Sequence, residues 1–491
     1  MHNKYVNRHG GAVVSRGDDP PYPAVVSRGD DPPYPPMGES ARARPLPVSP
    51  EGMLMQVRGR IGQAAVLGID LGTSGVKALV AGADGGVLGR GAAGYPVRVP
   101  AQGQAEAAPE DWWLATRAAV LGALEEAGRV TVTAMAVAGQ MHGVVLVDNR
   151  GAPLRPAILW LDQRAAADAA TYAELPCEYT AMLGNRPSAG MAGPLLSWLM
   201  THEPCTVRAA WWALQPKDWL RLRLTGRAAS DPTDASGTLL FDLERNAWAD
   251  PLIEKLGLPR EKLPPVRDSA DLAGPLLPGP AADLGLRRGI PVAVGAADTA
   301  AALFATGLRA HEAMLNLGGG GQWAVLEDAF RPADSTDLYR AVGGGYYRLA
   351  RVQNVGVTLD WVRNLLGATW EEFYDTAARP RRPDAPLFDP YLSPERWNPA
   401  AVGAWTGLTV AHEREDLMRS ALDAVAGLLR QRLDDLRAAG HAPRRVILGG
   451  GGTASPAWRA LLAQTLDLPI RDASTKWLTS TGAVRLAAAL R

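Results

Sequence analysis

The chain has 491 residues, 47% of them apolar and 21% charged, which exceeds what one hydrophobic core normally supports and suits a globular protein of two large domains. Lysine plus arginine equals aspartate plus glutamate at 51 each, with no long run of one sign, so charge gives no case for nucleic acid or an anionic membrane as a partner. No stretch approaches the ~20 uninterrupted apolar residues of a spanning helix, and the charged-then-apolar pattern of a secretory signal is missing. The only two cysteines, Cys177 and Cys205, stand apart from each other, so the expectation is a reducing cytoplasm and two partly buried thiols without function.

Residues 12–23 recur without change at 24–35. A perfect tandem this rich in proline and aspartate cannot bury a core, so residues 1–60 are predicted to be a disordered extension, from a reading frame that starts upstream of Met53 or Met55. From Val66 onward strands and helices alternate. Strands over 66–69 and 76–80 form a hairpin around Gly72-Thr73-Ser74-Gly75, with a third strand at 87–95. A helix over 110–127 opens after Pro109. Further strands fall at 130–138, 144–147 and 157–160, and the stretch 162–289 mixes helices and loops in an insertion that covers a substrate.

A buried strand at 291–294 runs into Gly295-Ala296-Ala297-Asp298, where a helix begins. The first hairpin then has an echo: Leu315-Asn316-Leu317-Gly318-Gly319-Gly320-Gly321 again reads apolar strand, glycine turn, apolar strand. Such turns bring backbone N–H groups close to an anion, most often a phosphate. Two of them, one in each half, suggest related domains with a nucleotide cleft between them and point to phosphoryl transfer. A long helix over 417–438, a strand at 446–448, a turn at Gly449–Gly452 and a helix over 455–466 complete the order and resemble the base-binding end of a nucleotide site.

Two carboxylates sit where chemistry is expected. Asp70 ends a buried strand just before the first glycine turn; Mg2+ needs only one or two carboxylates beside phosphate and water, so metal contact is favoured over a simple turn cap. Asp298 has only small neighbours, Gly295 to Ala297 before it and Ala300 to Ala302 after. It could take the proton of an attacking hydroxyl or cap the helix, and spacing alone leaves these readings equal.

Four long stretches carry a resemblance. Gly68-Ile69-Asp70-Leu71-Gly72-Thr73-Ser74-Gly75-Val76-Lys77, Ala138-Gly139-Gln140-Met141-His142-Gly143, the run from Pro216-Lys217-Asp218-Trp219 to Thr225-Gly226, and Ser230-Asp231-Pro232-Thr233-Asp234-Ala235-Ser236-Gly237-Thr238 resemble the FGGY family of carbohydrate kinases, most of all its xylulokinases. The likeness runs from about Val66 to the C-terminus. It implies an α/β fold of two actin-like (ribonuclease-H-like) domains with an interdomain cleft for ATP and sugar, divided at 64–308 and 309–491. It makes Asp298 the general base. ATP with Mg2+ would lie against Gly72, Thr73, Ser74, Gly318, Gly319, Gly320, Gly450, Gly451 and Ser455, with Asp70 toward the metal. Sugar selection would fall to Gln140, Met141, His142, Asp162 and Asp298, while Trp112 and Trp113 mainly pack. A homodimer is compatible with the resemblance alone.

The match has gaps. The second turn offers glycines where xylulokinases resemble Leu-Gly-Thr-Ser-Gly, Leu161 and Thr299 stand where the pattern has asparagines, and 393–397 departs from Gly-Glu-Arg-Thr-Pro. Asp70, Asp298 and His142 are retained, so the expected activity is ATP-dependent phosphorylation of D-xylulose at O5. The alternatives are another ketose or polyol, or a binding protein that kept the cleft without turnover.

Overall fold

The run Gln63–Leu71 forms a strand (β1) whose last seven residues are all buried, as a central strand covered on both faces requires. The chain turns at Gly72 into β2 (Gly75–Gly82), which pairs antiparallel with both β1 and β3 (Val87–Gly94). Helix α1 (Pro109–Ala127) opens on proline, whose missing N–H costs nothing in a first turn, and returns the chain to β4 (Val130–Gly139), parallel to β1. Much later β5 (Leu272–Pro275), β6 (Pro291–Ala293) and β7 (Ala296–Ala297) complete a seven-stranded sheet in the order β5-β6-β4-β1-β2-β3, with β7 also on β4. The computed structural model describes residues 62–333, 336–393, 402–450, 452, 455–473, 475 and 477–490. The predicted extension over 1–60, the departure at 394–397 and the phosphate candidate Gly451 lie outside the described residues.

The same order then recurs. Strands β8 (Glu312–Leu317) and β9 (Gly321–Glu327) form the second hairpin, followed by β10 (Asp337–Arg340), β11 (Tyr346–Val352), β12 (Arg445–Gly449) and β13 (Ile470–Asp472). They make a six-stranded sheet ordered β10-β11-β9-β8-β12-β13. In both sheets a hairpin carries a third antiparallel strand on one side and parallel strands on the other: β3-β2-β1-β4-β6 matches β11-β9-β8-β12-β13. The echo seen in the sequence is thus the first hairpin of each of two domains.

The insertion between β4 and β5 includes α2 (Pro216–Thr225), and its core of Val144, Ile158, Leu195, Leu199 and Phe241 reaches Leu338 and Tyr346 of the second sheet. Helix α3 (Asp298–Thr306) follows β7 directly, and α4 (Gly356–Leu365) follows β11. The long helix α5 (Arg414–Ala438) starts earlier than its apolar pattern, because Glu413 and Asp416 form a reciprocal capping box at its first turn. Then come α6 (Pro456–Leu466), capped by Ser455, and α7 (Leu478–Ala489).

Although last in the chain, α7 packs on the first sheet: Ala483, Val484 and Leu486 share a core cluster with Val66, Leu79, Ala136 and Ala301. The approach is close enough that a Cβ at Gly68 would fall 2.4 Å from the Ser480 carbonyl. Cys177 and Cys205 are both exposed, not partly buried as expected, because each sits in a short helix at the surface. No helix among the described residues is long and apolar enough to cross a membrane.

Candidate active site

Three parallel strands of the first sheet stop in register. Leu71 of β1 and Ala297 of β7 both lie opposite Gly139 of β4. The residues that follow each strand, the Gly72 turn, Gln140-Met141-His142 and Asp298, therefore emerge at one edge, the carboxyl end of the strands where α/β sheets place ligands. Gly295 makes this possible: its φ is +91° and a Cβ there would come 2.0 Å from the Val137 carbonyl. In the second sheet β8 and β12 also end together, Asn316 opposite Gly449, so the turns after them meet. Gly450, at φ +95°, packs so tightly that a Cβ would lie 2.1 Å from the Leu317 carbonyl.

A cavity of about 750 Å3 opens between these edges. Of the residues singled out from sequence, His142, Asp298, Gly318, Gly319 and Gly320 line it. Asp298 is half-buried at the first position of α3; its Oδ1 accepts the Thr299 N–H at 2.5 Å and the Thr299 hydroxyl at 3.1 Å. It is not a helix cap, since the N-cap position is Ala297. Burial pushes its carboxyl above the usual value, while the Thr299 hydrogen bonds and the Arg351 charge pull down. His142 has φ +77°, a left-handed conformation that is uncommon for a side chain with a Cβ. Its Nδ1 sits 2.7 Å from the Gly237 carbonyl, which can only accept, so that nitrogen carries the proton.

The remaining described candidates do not line the cavity. Asp70 is buried, and burial lifts its carboxyl to about 7, with Lys77 opposing and Asp298 adding to the rise. The Gly72 carbonyl accepts from the Tyr95 hydroxyl and, at 3.3 Å, from the Gln140 side-chain amide, so Gln140 braces the first turn and does not line the cavity. Thr73 Oγ1 accepts the Trp160 indole N–H at 2.9 Å, and Ser74 is exposed at the turn. Met141 packs under α3 with Ala297, Ala300 and Leu303. Asp162 is fully buried, holding the Ala105 N–H at 2.7 Å and the Arg164 guanidinium at 2.8 Å. Gly450 and Ser455 back the second turn and begin α6 without lining the cavity. Trp112 and Trp113 are buried, Trp112 edge-on to Tyr95 and Trp219.

Sequence reasoning missed Trp160, Gln322, Asp337 and Arg351, which also line the cavity. Trp160 directly precedes Leu161, where the chain departs from the family pattern, and could have been found there; the others come from strands whose alternation carries no signal of its own.

A buried ionic cluster holds Asp298 from behind. Lys217 Nζ lies 2.5, 2.8 and 3.2 Å from carboxylate oxygens of Asp218, Asp231 and Asp234, all with no exposed side-chain surface. Arg221 pairs with Asp218 at 2.8 Å and donates to the Val294 carbonyl at 2.8 Å. Burial drives the Asp234 carboxyl well above the usual range, with the Lys217 charge opposing. Thr233 donates to Asp231 at 2.5 Å and accepts the N–H of Ala297 at 2.9 Å, one residue before Asp298. The same segment supplies the Gly237 carbonyl to His142.

Residues 65–305 match the N-terminal domain of the FGGY family of carbohydrate kinases, and residues 328–490 match its C-terminal domain. The chain belongs to the FGGY family. It is 35% identical to the xylulose kinase of Escherichia coli strain K12 over 406 residues, 81% of this chain and 84% of that protein. Among solved structures, a xylulose kinase from Rhodospirillum rubrum superposes with a TM-score of 0.80 at 29% identity over 86% of this chain and 89% of that one. A kinase from Brucella ovis described as a xyloylose kinase gives 0.81 at 30% identity, covering 87% and 90%. The fold is thus the two-domain α/β FGGY fold, and the protein is a carbohydrate kinase that binds a sugar and ATP and transfers a phosphoryl group to an alcohol.

Proposed function

We propose that this FGGY kinase phosphorylates D-xylulose at O5, giving D-xylulose 5-phosphate, with Asp298 as general base. The observation that carries the choice of sugar is the 35% identity to a xylulose kinase over most of both chains. Residues 64–308 would form the sugar half with the base, and 309–491 the nucleotide half. Asp298 lies in the cavity with small neighbours and the glycine turn Gly318–Gly320 across from it, a setting in which a hydroxyl can reach a terminal phosphoryl.

The sugar oxygen attacks the terminal phosphorus of ATP, the bond from that phosphorus to the bridging oxygen breaks with its electron pair left on ADP, and the hydroxyl proton passes to Asp298. His142, its Nδ1 proton committed to Gly237, would accept from a sugar hydroxyl through its other nitrogen. Asp162, Gln140 and Met141 would act through the shape of the pocket. Asp70, whose carboxyl interacts with the Asp298 charge, is the group that would face a Mg2+ held mainly by phosphate and water, an ion that needs only one or two carboxylates from the protein. When bound, the ion neutralises charge on the phosphates. A cytoplasmic location accords with two exposed thiols left unpaired.

A panel of pentuloses, hexuloses and polyols in an ADP-release assay, with Asp298→Ala as control, tests the reading. D-xylulose is expected to give the highest kcat/KM and the variant no turnover. Faster turnover of another sugar would overturn the choice of substrate; sugar-induced thermal protection without ADP release would support a binding protein.

A further inference from the structure

The face of the second sheet that looks into the cavity carries a polar row. Asn316 on β8, Gln322 on β9 and Arg351 on β11 lie directly opposite one another, and residues so paired share a face. All three line the cavity. The row runs beside Gly318–Gly320, a turn that can offer an anion backbone N–H groups and no side chain.

Arg351 is the only lysine or arginine among the described residues lining the cavity. Its position is set from one side: Nη2 donates to the Tyr339 hydroxyl at 2.7 Å, the guanidinium lies 5.7 Å from the Tyr339 ring centre, and Nε is 4.0 Å from Asp337 Oδ2. Its charge also acts on the Asp298 carboxyl, pulling it down against the burial that raises it. Arg351 thus lines the same cavity as the glycine turn and the carboxylate base.

We propose that Arg351, with Gln322 beside it, binds the phosphoryl group in transit and supplies in this chain the side-chain donors that Gly318–Gly320 lack. The migrating phosphoryl spreads negative charge over its three outer oxygens. A guanidinium presents paired N–H donors matched to such oxygens, and one already held by Tyr339 needs little reorganisation as charge develops. Arg351 makes and breaks no covalent bond: the sugar oxygen replaces the bridging oxygen on phosphorus, ADP leaves with the electron pair and Asp298 takes the proton. The proposal rests on Asp298 as base and ATP as donor.

The test uses full-length Arg351→Met, Arg351→Lys and Gln322→Leu. Arg351→Met is expected to lower kcat by roughly 10²- to 10³-fold, with the sugar KM changed by less than about twofold, and Arg351→Lys to recover part of the loss. Calorimetric titration with ADP, magnesium and aluminium fluoride, a mimic of the transferring phosphoryl, gives a readout apart from turnover. The wild type should bind it more tightly than ADP, and Arg351→Met should lose at least about tenfold of that preference while ADP affinity, which also reports an intact fold, stays unchanged. Unchanged kcat and preference would overturn the proposal, as would a raised sugar KM at full kcat, which would make Arg351 a sugar contact. The same titration without sugar holds whichever sugar is the substrate. Failure of the underlying reading looks different: Asp298→Asn would then turn over as fast as the wild type.

Discussion

Asp298 owes its properties to where α3 begins. A carboxylate at the first position of a helix, half-buried and gripped by Thr299, is aimed by the backbone and needs no further side chain to fix it. Because burial raises its pKa, the base is disarmed by protonation at a higher pH than an ordinary aspartate. The groups whose charge or cavity position bears on it are Arg351 and Tyr347 of β11, Asp70 of β1, and His142 at the same edge of the first sheet. A pH profile of kcat/KM should therefore fall on the acid side with a midpoint above 3.8; a limb at or below that value would contradict the assignment. His142→Ala should raise the sugar KM roughly tenfold or more, by leaving a sugar hydroxyl unpaired, with ADP binding by calorimetry unaltered. Asp298 and His142 were legible in the sequence because each sits in a contiguous motif. Arg351 was not: it alternates along an ordinary strand, and only pairing with β9 carries it to the glycine turn.

Elements, more than single side chains, hold this geometry. The β6–β7 segment is tied to Lys217, Arg221 and Asp231 through the Val294 carbonyl and the Ala297 N–H, so an ionic cluster with no solvent contact sets where α3 starts. Removing one cation leaves uncompensated buried carboxylates: Lys217→Met is expected to cost about 3–5 kcal/mol of stability, read from urea unfolding. Thr233→Val, nearly the same in shape, should lower kcat and cost about 1–3 kcal/mol in the same urea unfolding, because it frees the N–H before the base and also removes one donor to Asp231, which keeps the Ser269 hydroxyl. The sequence exposed both hairpins and the helices α1, α3, α5 and α6 through periodicity and glycine punctuation, while α2, α4, α7 and the short helices of the insertion went unnamed. It did not expose the partner of α7, since an Ala-rich helix packs on any close apolar surface, nor the structural role of Asp162, whose motif suggested sugar contact and whose oxygens are taken by Ala105 and Arg164.

At the scale of the whole molecule, two sheets of one topology face each other across the cavity, with the base on one and the glycine turn and Arg351 on the other. Helix α7 links the halves, since it follows the second sheet in sequence and packs on the first. Gly68→Ala should destabilise the protein by about 1–3 kcal/mol, measured by thermal or urea unfolding, because the new methyl would meet the backbone of that helix at Ser480. Duplication was legible from the echoed hairpin, but the meeting of the halves was not, as residues more than a hundred positions apart build the cavity wall. The central claim is that the Asp298 carboxylate takes the proton of the sugar hydroxyl as the phosphoryl crosses between the domains. Rapid-quench single-turnover phosphorylation of D-xylulose by the wild type and Asp298→Asn tests it most directly. A burst of D-xylulose 5-phosphate that slows by about 10²- to 10⁴-fold in the variant, with sugar and ATP still bound, is the predicted result; an equal burst in both would contradict it.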